Sequence, residues 1–301
     1  MLAAEVGFEL PEGVREFVSQ DRIQPFIDGQ YTTSSREDSI EVIDPGSAAR
    51  VASVAECGME EIEAAVASGE NAFENSGWAT MPVNERAVLL HRLADLVEKE
   101  ADELAFLEAL DCGKVLANAA GDIQNFCQTL RYYTDLSVHT SRRHSLAVSA
   151  HEAWTVIHPY GVCAFIFPWN FPFLLLGWGV SPALAAGKTI VVKPAEDTPL
   201  STLYFGRLVK EAGIPDGVVN IVPGLGETAG AALAQHPRIK RMSFTGSPEV
   251  GRLVGEACGR NLVPVKLELG GKGAAVVFDD ADLEDTVDKL VQAITFHTGQ
   301  V

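Results

Sequence analysis

The second half of the chain alternates short apolar segments with segments in which apolar residues recur at helical spacing. The apolar segments are predicted strands: Val162–Phe167, Thr189–Lys193, Val218–Val222, Arg241–Phe244 and Val263–Leu267. The segments after the first four are predicted helices, around 171–186, 200–212, 226–235 and 248–258. Because near-continuous apolar strands alternating with helices are typical of sheets buried on both faces, we expect an α/β fold with an open parallel sheet.

The first half of the chain is predicted to be mainly helical, with helices over residues 59–75, 82–110 and 115–138. The second of these has the strongest pattern, because five residues form one apolar stripe: Leu89, Leu90, Leu93, Leu96 and Val97. Pro82 suits its first turn, and Gly113 is a stop signal. We therefore expect a helical region before the sheet.

Two further regions carry weaker strand patterns. Residues 1–56 are predicted to be irregular, with short strands such as Gln24–Asp28 and Ser39–Ile43. Ser145–Ser149 and Trp154–His158 alternate apolar and polar residues, which favours two strands of a protruding hairpin.

Composition excludes several kinds of partner. The chain has 301 residues, 47% of them hydrophobic and 21% charged, which argues against disorder. Its net charge of −18 repels phosphates, so neither nucleic acid nor an anionic membrane surface is an expected partner. The 5 cysteines show no metal-ligand spacing, so we expect neither a metal site nor a disulfide framework. A reducing cytoplasmic location fits this cysteine usage.

One uncharged stretch raises the question of a membrane span. Gly161–Gly187 is long enough to cross a bilayer, but Pro168, Pro172 and Pro182 interrupt it, and Asn170 lies near its middle. A buried strand, a turn and a buried helix explain these residues better. Met1–Val14 lacks a basic segment and a long apolar core, so a secretory signal is not expected.

The expected carboxyl ends of the strands carry the residues with possible chemical roles, since open parallel sheets bind ligands at that edge. The first strand runs into Phe167–Pro172, in which Asn170 stands between proline-stiffened positions. Its amide would donate N–H groups to an oxyanion without competing for protons. The alternative is a turn residue that satisfies local backbone groups.

The second strand ends in Lys193 and is followed by Glu196. A carboxylate at this place accepts hydrogen bonds from the hydroxyls of an adenosine ribose and repels a ribose phosphate, which favours NAD over NADP. Lys193 adds a donor to the same ribose. The alternative is an exposed ion pair, the more common meaning of Lys and Glu three residues apart.

Glycines and a helix start follow the third and fourth strands. Gly224, Gly226 and Gly230 resemble a dinucleotide-binding turn, but their spacing departs from the usual motif, and a plain turn is an equal alternative. In Phe244–Gly251, Ser247 suits the N-cap of a helix whose free N–H groups attract phosphate. The alternative is a capped helix without a ligand.

The fifth strand is followed by Glu268–Lys272, in which an acid precedes two glycines. Burial of Glu268 would raise its pKa towards neutrality and make it a general base. A carboxylate that caps the following backbone is the alternative.

In order and spacing these motifs resemble the aldehyde dehydrogenase superfamily, in particular its hydrolytic, NAD-preferring members. Four motifs carry the resemblance: Phe167–Pro172, Lys193–Pro199, Phe244–Gly251 and Glu268–Lys272. Smaller matches are Asp111–Lys114, Pro182–Gly187, Gly213–Gly217 and His236–Pro237. The resemblance extends from about Phe26 to Val301 and implies a Rossmann-like sheet.

The resemblance implies a role for each matching residue. Asn170 is then the oxyanion donor, and Glu268 is the base that activates water. The implied NAD-binding residues are Phe167, Trp169, Lys193, Glu196, Gly226, Gly230, Gly246, Ser247, Val250 and Leu269. The implied walls of the aldehyde pocket are Phe171, Leu174 and Trp178. A cysteine thiolate attacks the aldehyde in this family, hydride passes to NAD, and water hydrolyses the thioester to a carboxylic acid.

The resemblance also implies a domain division and an assembly. Residues 1–270 correspond to the NAD-binding domain, with about 128–158 as a hairpin region used for dimers or tetramers, and 271–301 begin a catalytic domain that is truncated here. The family's cysteine follows a segment like Phe296–Val301, and no cysteine of this chain stands at that position. We therefore expect the chain alone to be inactive; a non-catalytic NAD-binding fragment or an interaction module is the alternative.

Three positions depart from the family pattern. Gly179 stands where many members have a lysine linked to proton relay, which puts ready deacylation in doubt. Gly273 replaces a common serine, and His297 replaces a common asparagine. The apolar faces of Val276–Phe278 and Leu290–Ile294 would lack partners, so we expect the isolated chain to associate.

Overall fold

The computed structural model describes residues 9–301. Most of Met1–Val14, for which no secretory signal is expected, lies outside the described residues. The amino-terminal part contains a short helix and four short strands: α1 (Glu12–Val18), β1 (Phe26–Ile27), β2 (Gln30–Tyr31), β3 (Ser39–Ile43) and β4 (Arg50–Ala55). The pattern predicted β3 but not α1. β3 and β4 form an antiparallel pair.

Four helices follow, and one expectation about them is wrong. They are α2 (Met59–Asn75), α3 (Val83–Lys99), α4 (Ala101–Cys112) and α5 (Leu116–His139). The helix expected over 82–110 is divided at Glu100, whose φ of −100° and ψ of 24° are not helical. The Glu100 carboxylate accepts hydrogen bonds from Tyr204 and Arg207, so a distant element holds the break.

The expected hairpin is present as β5 (Arg143–Val148) and β6 (His151–Val156). The two strands pair antiparallel in a sheet of their own, and nearly all of their side chains are exposed. Each strand begins two or three residues earlier than predicted.

The main sheet belongs to the second half of the chain. Its remaining elements are β7 (Val162–Ile166), α6 (Pro172–Ala185), β8 (Thr189–Lys193), α7 (Leu200–Ala212), β9 (Val219–Ile221), a π-helical turn (Gly226–Gly230), α8 (Ala231–Gln235), β10 (Arg241–Gly246), α9 (Pro248–Arg260), β11 (Val265–Leu269), α10 (Leu283–Thr295) and a 3-10 turn (Phe296–Gly299). The strand order is β11-β10-β7-β8-β9-β1-β2. β7 to β11 run parallel, which confirms the predicted sheet. The antiparallel extension by β1 and β2 was not predicted.

The centre of the sheet, β7 to β9, is buried on both faces, as expected. Along β7, Cys163 and Phe165 pack into the core formed with α3 to α7, whereas Val162, Ala164 and Ile166 pack against α2, α8 and α9. Since successive side chains of a strand point to opposite faces, this alternation places a helical layer on each side of the sheet.

The uncharged stretch 161–187 forms β7, a turn and α6, as the prolines predicted. Within residues 9–301, no helix has both the length and the apolar character that crossing a membrane requires.

Candidate cofactor and aldehyde site

The direction of the connections reverses at β7. The chain runs from β7 to β8 and β9 on one side, and then returns to place β10 and β11 on the other side. Such a reversal opens a crevice at the carboxyl ends of the two central strands. Asn170 follows β7, Ser247 follows β10 and Glu196 follows β8, so the sequence-predicted residues do share one edge of the sheet.

Lys193 and Glu196 form an ion pair at this edge, with Lys193 Nζ 2.6 Å from Glu196 Oε2. The Lys193 side chain is 3% exposed and the Glu196 side chain 33% exposed. Burial alone would raise the pKa of Glu196, but the charge of Lys193 and the hydrogen bonds from Lys193 and Gly226 together outweigh burial, and the pKa is lowered. Glu196 is therefore an anion at neutral pH, with its carboxylate held at the rim of the crevice.

Two glycines lie next to this ion pair. A Cβ added to Gly230 would lie 3.8 Å from Lys193 Cδ, and one added to Gly226 would lie 3.9 Å from Glu196 Oε1. The Gly226 N–H also donates a 3.3 Å hydrogen bond to Glu196 Oε1. Residues 226–230 form a π-helical turn where an ordinary helix start was expected. The glycines therefore lie beside the predicted ribose ligands, although their spacing is not that of the usual motif.

The start of α9 lies on the other side of the reversal. Ser247 Oγ accepts a 3.2 Å hydrogen bond from the Val250 N–H, and Pro248 is the first helical residue. Ser247 therefore caps the helix, as predicted. Leu269 packs closely over Gly251, because a Cβ on that glycine would lie 2.5 Å from Leu269 Cδ2. This contact joins the helix to β11, the outer strand.

The turn that contains Asn170 is in contact with the carboxyl-terminal residues. Asn170 Nδ2 donates a 2.7 Å hydrogen bond to the Gln300 carbonyl oxygen. Its own carbonyl oxygen accepts from Cys112 Sγ at 3.3 Å and also contacts His297 Nε2. The His297 ring lies 4.5 Å from the Phe171 ring, so residues 296–300 pack directly on the turn. His297, which replaces a common asparagine of the family, therefore contacts the turn that carries Asn170.

A buried ion cluster supports the same turn, and the sequence analysis missed it. Lys114 Nζ contacts Glu108 Oε2 at 2.7 Å and Asp122 Oδ2 at 2.8 Å, and the Lys114 and Glu108 side chains are fully buried. The other oxygen of Glu108 accepts from the Phe173 N–H at the start of α6 and from Ser201 in α7. Asp111–Lys114 was noted as a family match; no local signal revealed its burial.

The three predicted pocket residues lie along one side of α6. Phe171 and Leu174 are half-buried, and Trp178 is 54% exposed. Trp178 Nε1 donates a 2.9 Å hydrogen bond to Asn125 Oδ1. A groove of about 440 Å³ beside Trp178 is lined in part by residues of α5 that were not predicted: Asn125, Gln128, Thr129, Tyr132 and Tyr133. Their helical spacing places them on one face of α5.

Glu268 departs from its expected environment. It lies within β11, since the strand begins and ends two residues later than predicted. Its side chain is 57% exposed and is 3.2 Å from Lys266 Nζ. The expected burial is therefore wrong for this chain, because β11 is the edge strand of the sheet and no described element covers Glu268.

The packing of two phenylalanine rings explains why position 179 is a glycine. A Cβ there would lie 2.7 Å from the Phe167 ring and 3.0 Å from the Phe165 ring. These two rings stack with centroids 5.8 Å apart. The Phe167 ring thus fills the space next to α6 that a longer side chain at position 179 would need.

All five cysteines are buried. Burial raises the pKa of each thiol, to about 12 for Cys57 and Cys127, to about 11 for Cys163, and in the same direction for Cys112 and Cys258. A thiol acts as a nucleophile through its thiolate, so none of these cysteines is suited to attack a carbonyl.

The open sheet, its reversal at β7 and the polar residues at its carboxyl edge define a nucleotide-binding α/β protein. Within this class the chain belongs to the aldehyde dehydrogenase family, whose profile matches residues 31–301. It is 43% identical over 278 residues to aldehyde dehydrogenase 1A1 of Ovis aries, covering 91% of this chain and 56% of that protein. It is 42% identical to the mitochondrial benzaldehyde dehydrogenase of Antirrhinum majus, covering 97% of this chain and 55% of that protein.

A solved structure shows the same fold. The aldehyde dehydrogenase of Bacillus cereus, in a complex with NAD+, superimposes with a TM-score of 0.94 and 40% identity. The match covers 97% of this chain and 60% of that chain. The sequence therefore spans little more than half the length of the relatives that it matches.

Proposed function

We propose that this chain is the NAD-binding part of an aldehyde dehydrogenase that oxidises an aldehyde to a carboxylic acid. The observation that carries the proposal is the reversal of strand order at β7, with Asn170 after the carboxyl end of β7 and the Lys193–Glu196 pair at the carboxyl end of β8. Family membership and the Bacillus cereus complex with NAD+ add support. The proposed division at residue 270 follows the end of β11 at Leu269.

The residues of the crevice fit a dinucleotide. Glu196, and Lys193 next to it, would bind the hydroxyls of the adenosine ribose, and the negative charge of Glu196 would repel the extra phosphate of NADP. Gly226 and Gly230 leave room on the adenine side, where Val250 contributes an apolar contact. The pyrophosphate would lie at Gly246 and Ser247, at the amino end of α9, where the helix dipole favours an anion. Phe167, Trp169 and Leu269 would complete the walls.

The proposed chemistry assigns two tasks to residues of this chain. NAD, when bound, supplies the acceptor for the hydride of the aldehyde. The Asn170 amide would donate an N–H to the carbonyl oxygen as it gains negative charge. Glu268 would remove a proton from the water that releases the acid, once an apolar surface covers its exposed side chain. Phe171, Leu174 and Trp178 would contact the body of the aldehyde.

The contact between Asn170 and Gln300 supports the placement of the nucleophile. In the family that this chain resembles, the cysteine follows a segment like Phe296–Val301. In this chain, the carbonyl oxygen of Gln300 in that segment accepts a hydrogen bond from Asn170 Nδ2. A cysteine that follows this segment would then stand beside the oxyanion donor. Because the five cysteines present are buried with raised pKa values, the 301-residue chain by itself is proposed to bind NAD without turnover.

The hairpin supports a further part of the proposal, which is assembly into a homo-oligomer through residues of about 128–158. Leu146, Val148 and Trp154 are each close to half exposed on β5 and β6. Exposed apolar side chains on a strand pair with free edges favour association with a second copy. The cytoplasmic location stays a prediction, since one relative is a mitochondrial enzyme.

NAD binding is tested by titration calorimetry of the 301-residue chain. Replacement of Glu196 (Glu196→Ala) removes the proposed acceptor for two ribose hydroxyls, so we expect the Kd for NAD to rise about tenfold or more. Glu256→Ala, an exposed and ion-paired glutamate on α9, is the matched control and should leave the Kd unchanged. Equal affinity in all three proteins would overturn the ribose assignment.

Turnover is tested by following NADH absorbance with NAD and a panel of aldehydes. The 301-residue chain should produce no NADH. Aldehyde-dependent NADH formation that survives replacement of all five cysteines by serine would contradict the proposed need for a further cysteine. If replacing a single cysteine by serine abolished NADH formation, that cysteine would be the nucleophile despite its burial.

A further inference from the structure

A second cavity lies at the opposite edge of the main sheet. Tyr160 and Lys188 precede β7 and β8, so they mark the amino ends of these strands, whereas the proposed cofactor site lies at the carboxyl ends. Together with the end of α6 and the base of the β5–β6 hairpin, they enclose about 280 Å³. This cavity is therefore separate from the site already described.

The cavity collects positive charge in a chain whose net charge is −18. Arg86, Arg142 and Lys188 all line it, and His158 lies at the same wall. Within the described part of the chain, no aspartate or glutamate is among the lining residues. Most cations of this protein, by contrast, are paired with carboxylates, as Lys193 and Lys114 are.

The bonding of the two arginines is incomplete. Arg86 is 1% exposed, and it donates to the carbonyl oxygens of Ala185, Trp78 and Met81. Its Nη2 has no hydrogen-bond partner among residues 9–301. Arg142 donates one 2.9 Å bond, to the Ala186 carbonyl oxygen. Burial, and then the charge of Arg142, lower the pKa of Arg86 to about 10.

Lys188 has no carboxylate partner within the described residues. Its Nζ lies 5.1 Å from the centroid of the Tyr160 ring, and the guanidinium of Arg241 lies 5.9 Å from the same centroid. Burial lowers the pKa of Lys188, and although Cys163 acts in the opposite direction, Arg241 lowers it further. A half-buried ammonium among other cations is a costly arrangement unless an anion balances it.

Capping of α6 explains only part of this cluster. Cations near the last carbonyl groups of a helix are favourable, and Arg86 and Arg142 bind the carbonyl oxygens of Ala185 and Ala186. Neither the unpaired Nη2 of Arg86 nor Lys188 takes part in that capping. These donors belong to residues that line the cavity, and no acceptor among residues 9–301 is bonded to them.

We propose that this cavity binds a small organic anion, with its carboxylate or phosphate group between Lys188 and Arg142. The rest of the wall is mainly apolar or aromatic, with Tyr133, Ile157 and Pro182 facing the enclosed space. An apolar body of the ligand fits against these residues. The positive charge of Arg86, buried in the wall of the cavity, attracts the anionic group of the ligand. Binding there is independent of the proposed NAD site.

Benzoate is the probe for this proposal, and titration calorimetry of the 301-residue chain is the measurement. We expect saturable binding of benzoate, weakened about tenfold or more by Lys188→Met and by Arg142→Met, because each variant removes a charged donor. Lys188→Arg keeps the charge and should retain most of the affinity. Arg260→Met is the charge-matched control; this arginine is 75% exposed on α9, and its loss should leave benzoate binding unchanged.

Competing ligands decide whether charge is recognised. Inorganic phosphate should compete with benzoate, whereas neutral benzamide should bind far more weakly than benzoate. Benzamide that binds as tightly as benzoate, or benzoate affinity that is equal in the wild type and both methionine variants, would overturn the proposal. Thermal unfolding of each variant checks folding, and NAD affinity that is unchanged by Lys188→Met separates this site from the proposed cofactor site.

Discussion

Two lysine–carboxylate pairs of this protein have similar geometry and opposite surroundings. Lys114 is 2.7 Å from Glu108 beneath the Asn170 turn, and Lys266 is 3.2 Å from Glu268 on the outer strand. Both side chains of the first pair are fully buried, whereas those of the second are 56% and 57% exposed. The distance between charges therefore says little about what a pair does, and burial decides it.

The two pairs also differ in how many elements of the fold they connect. Glu108 also accepts hydrogen bonds from α6 and α7, and Asp122 belongs to α5, so the buried cluster joins four helices and fixes the turn that carries Asn170. Glu268 has one ion-pair partner in the described structure and is open to solvent. The buried pair thus supports the turn that carries Asn170, whereas the exposed pair joins two residues of a single strand, β11.

The largest effect is expected from breaking the buried cluster. Replacement of Lys114 (Lys114→Met) leaves Glu108 and Asp122 buried without their cation, so the free energy of unfolding should fall by about 3–5 kcal/mol. Urea denaturation followed by circular dichroism measures this change. Lys210→Met, at an exposed ion pair with Asp216, is the control and should cost at most about 1 kcal/mol. Equal losses in the two variants would show that burial does not distinguish them.

Glu61 is a buried carboxylate with no ion-pair partner among residues 9–301, so it shows what hydrogen bonds contribute without ion pairing. Burial alone would raise the pKa of Glu61, but hydrogen bonds from Gly58, Ser35 and Ser34 outweigh it and lower the pKa from 4.5 to about 2. Because the pKa is lowered in the folded state, its stabilising contribution is complete above the unfolded value. It is lost as the pH falls from about 5 towards 2.

Replacement of Glu61 (Glu61→Gln) should therefore reduce the free energy of unfolding by about 1–3 kcal/mol near neutral pH. The deficit relative to the wild type should shrink as the pH approaches about 3, because the wild type is then losing the same contribution. Urea denaturation at several pH values measures both quantities. Glu60→Gln, at the exposed neighbouring position, is the control, and a deficit independent of pH would exclude the ionised carboxylate as its cause.

The sequence predicted the parallel sheet because each strand carries its own apolar signal. It also predicted that Asn170, Glu196 and Ser247 follow strands at one edge of the sheet, since parallel strands share the direction of their carboxyl ends. The division at Glu100 was missed because its cause lies in Tyr204 and Arg207, about a hundred residues further along the chain. Local periodicity contains no information about such partners.

Burial of charged residues was likewise beyond the sequence. Lys114 and Lys266 have the same chemical character, and nothing in their neighbours along the chain indicates that one is buried in a cluster that joins four helices and the other is exposed. The expected burial of Glu268 was wrong for the same reason, since it depended on the tertiary surroundings of β11. The family resemblance supplied a role for Glu268 but not its environment in this chain.

A smaller effect is expected at the exposed pair itself. Replacement of Lys266 (Lys266→Met) removes an ion that water already solvates, so the free energy of unfolding should change by about 0–1 kcal/mol. The same urea denaturation applies, at low and high salt, because screening weakens exposed pairs first. A loss as large as that expected for Lys114→Met would show that Glu268 lies in a protected environment after all.

The smallest change in stability is expected in α10, where the comparison extends from charged to apolar side chains. The helix has no buried residue, and Ile294 is 76% exposed beside Val287 and Leu290. Ile294→Ser should leave the free energy of unfolding within about 0.5 kcal/mol, because the side chain packs against little. It should nevertheless reduce self-association in light scattering, since exposed apolar patches drive association.

Val88→Ser, at a 66% exposed valine of α3, is the matched control for this loss of self-association. A wild-type chain that scatters as a clean monomer would contradict the association, and an equal reduction in both variants would place the associating surface outside α10.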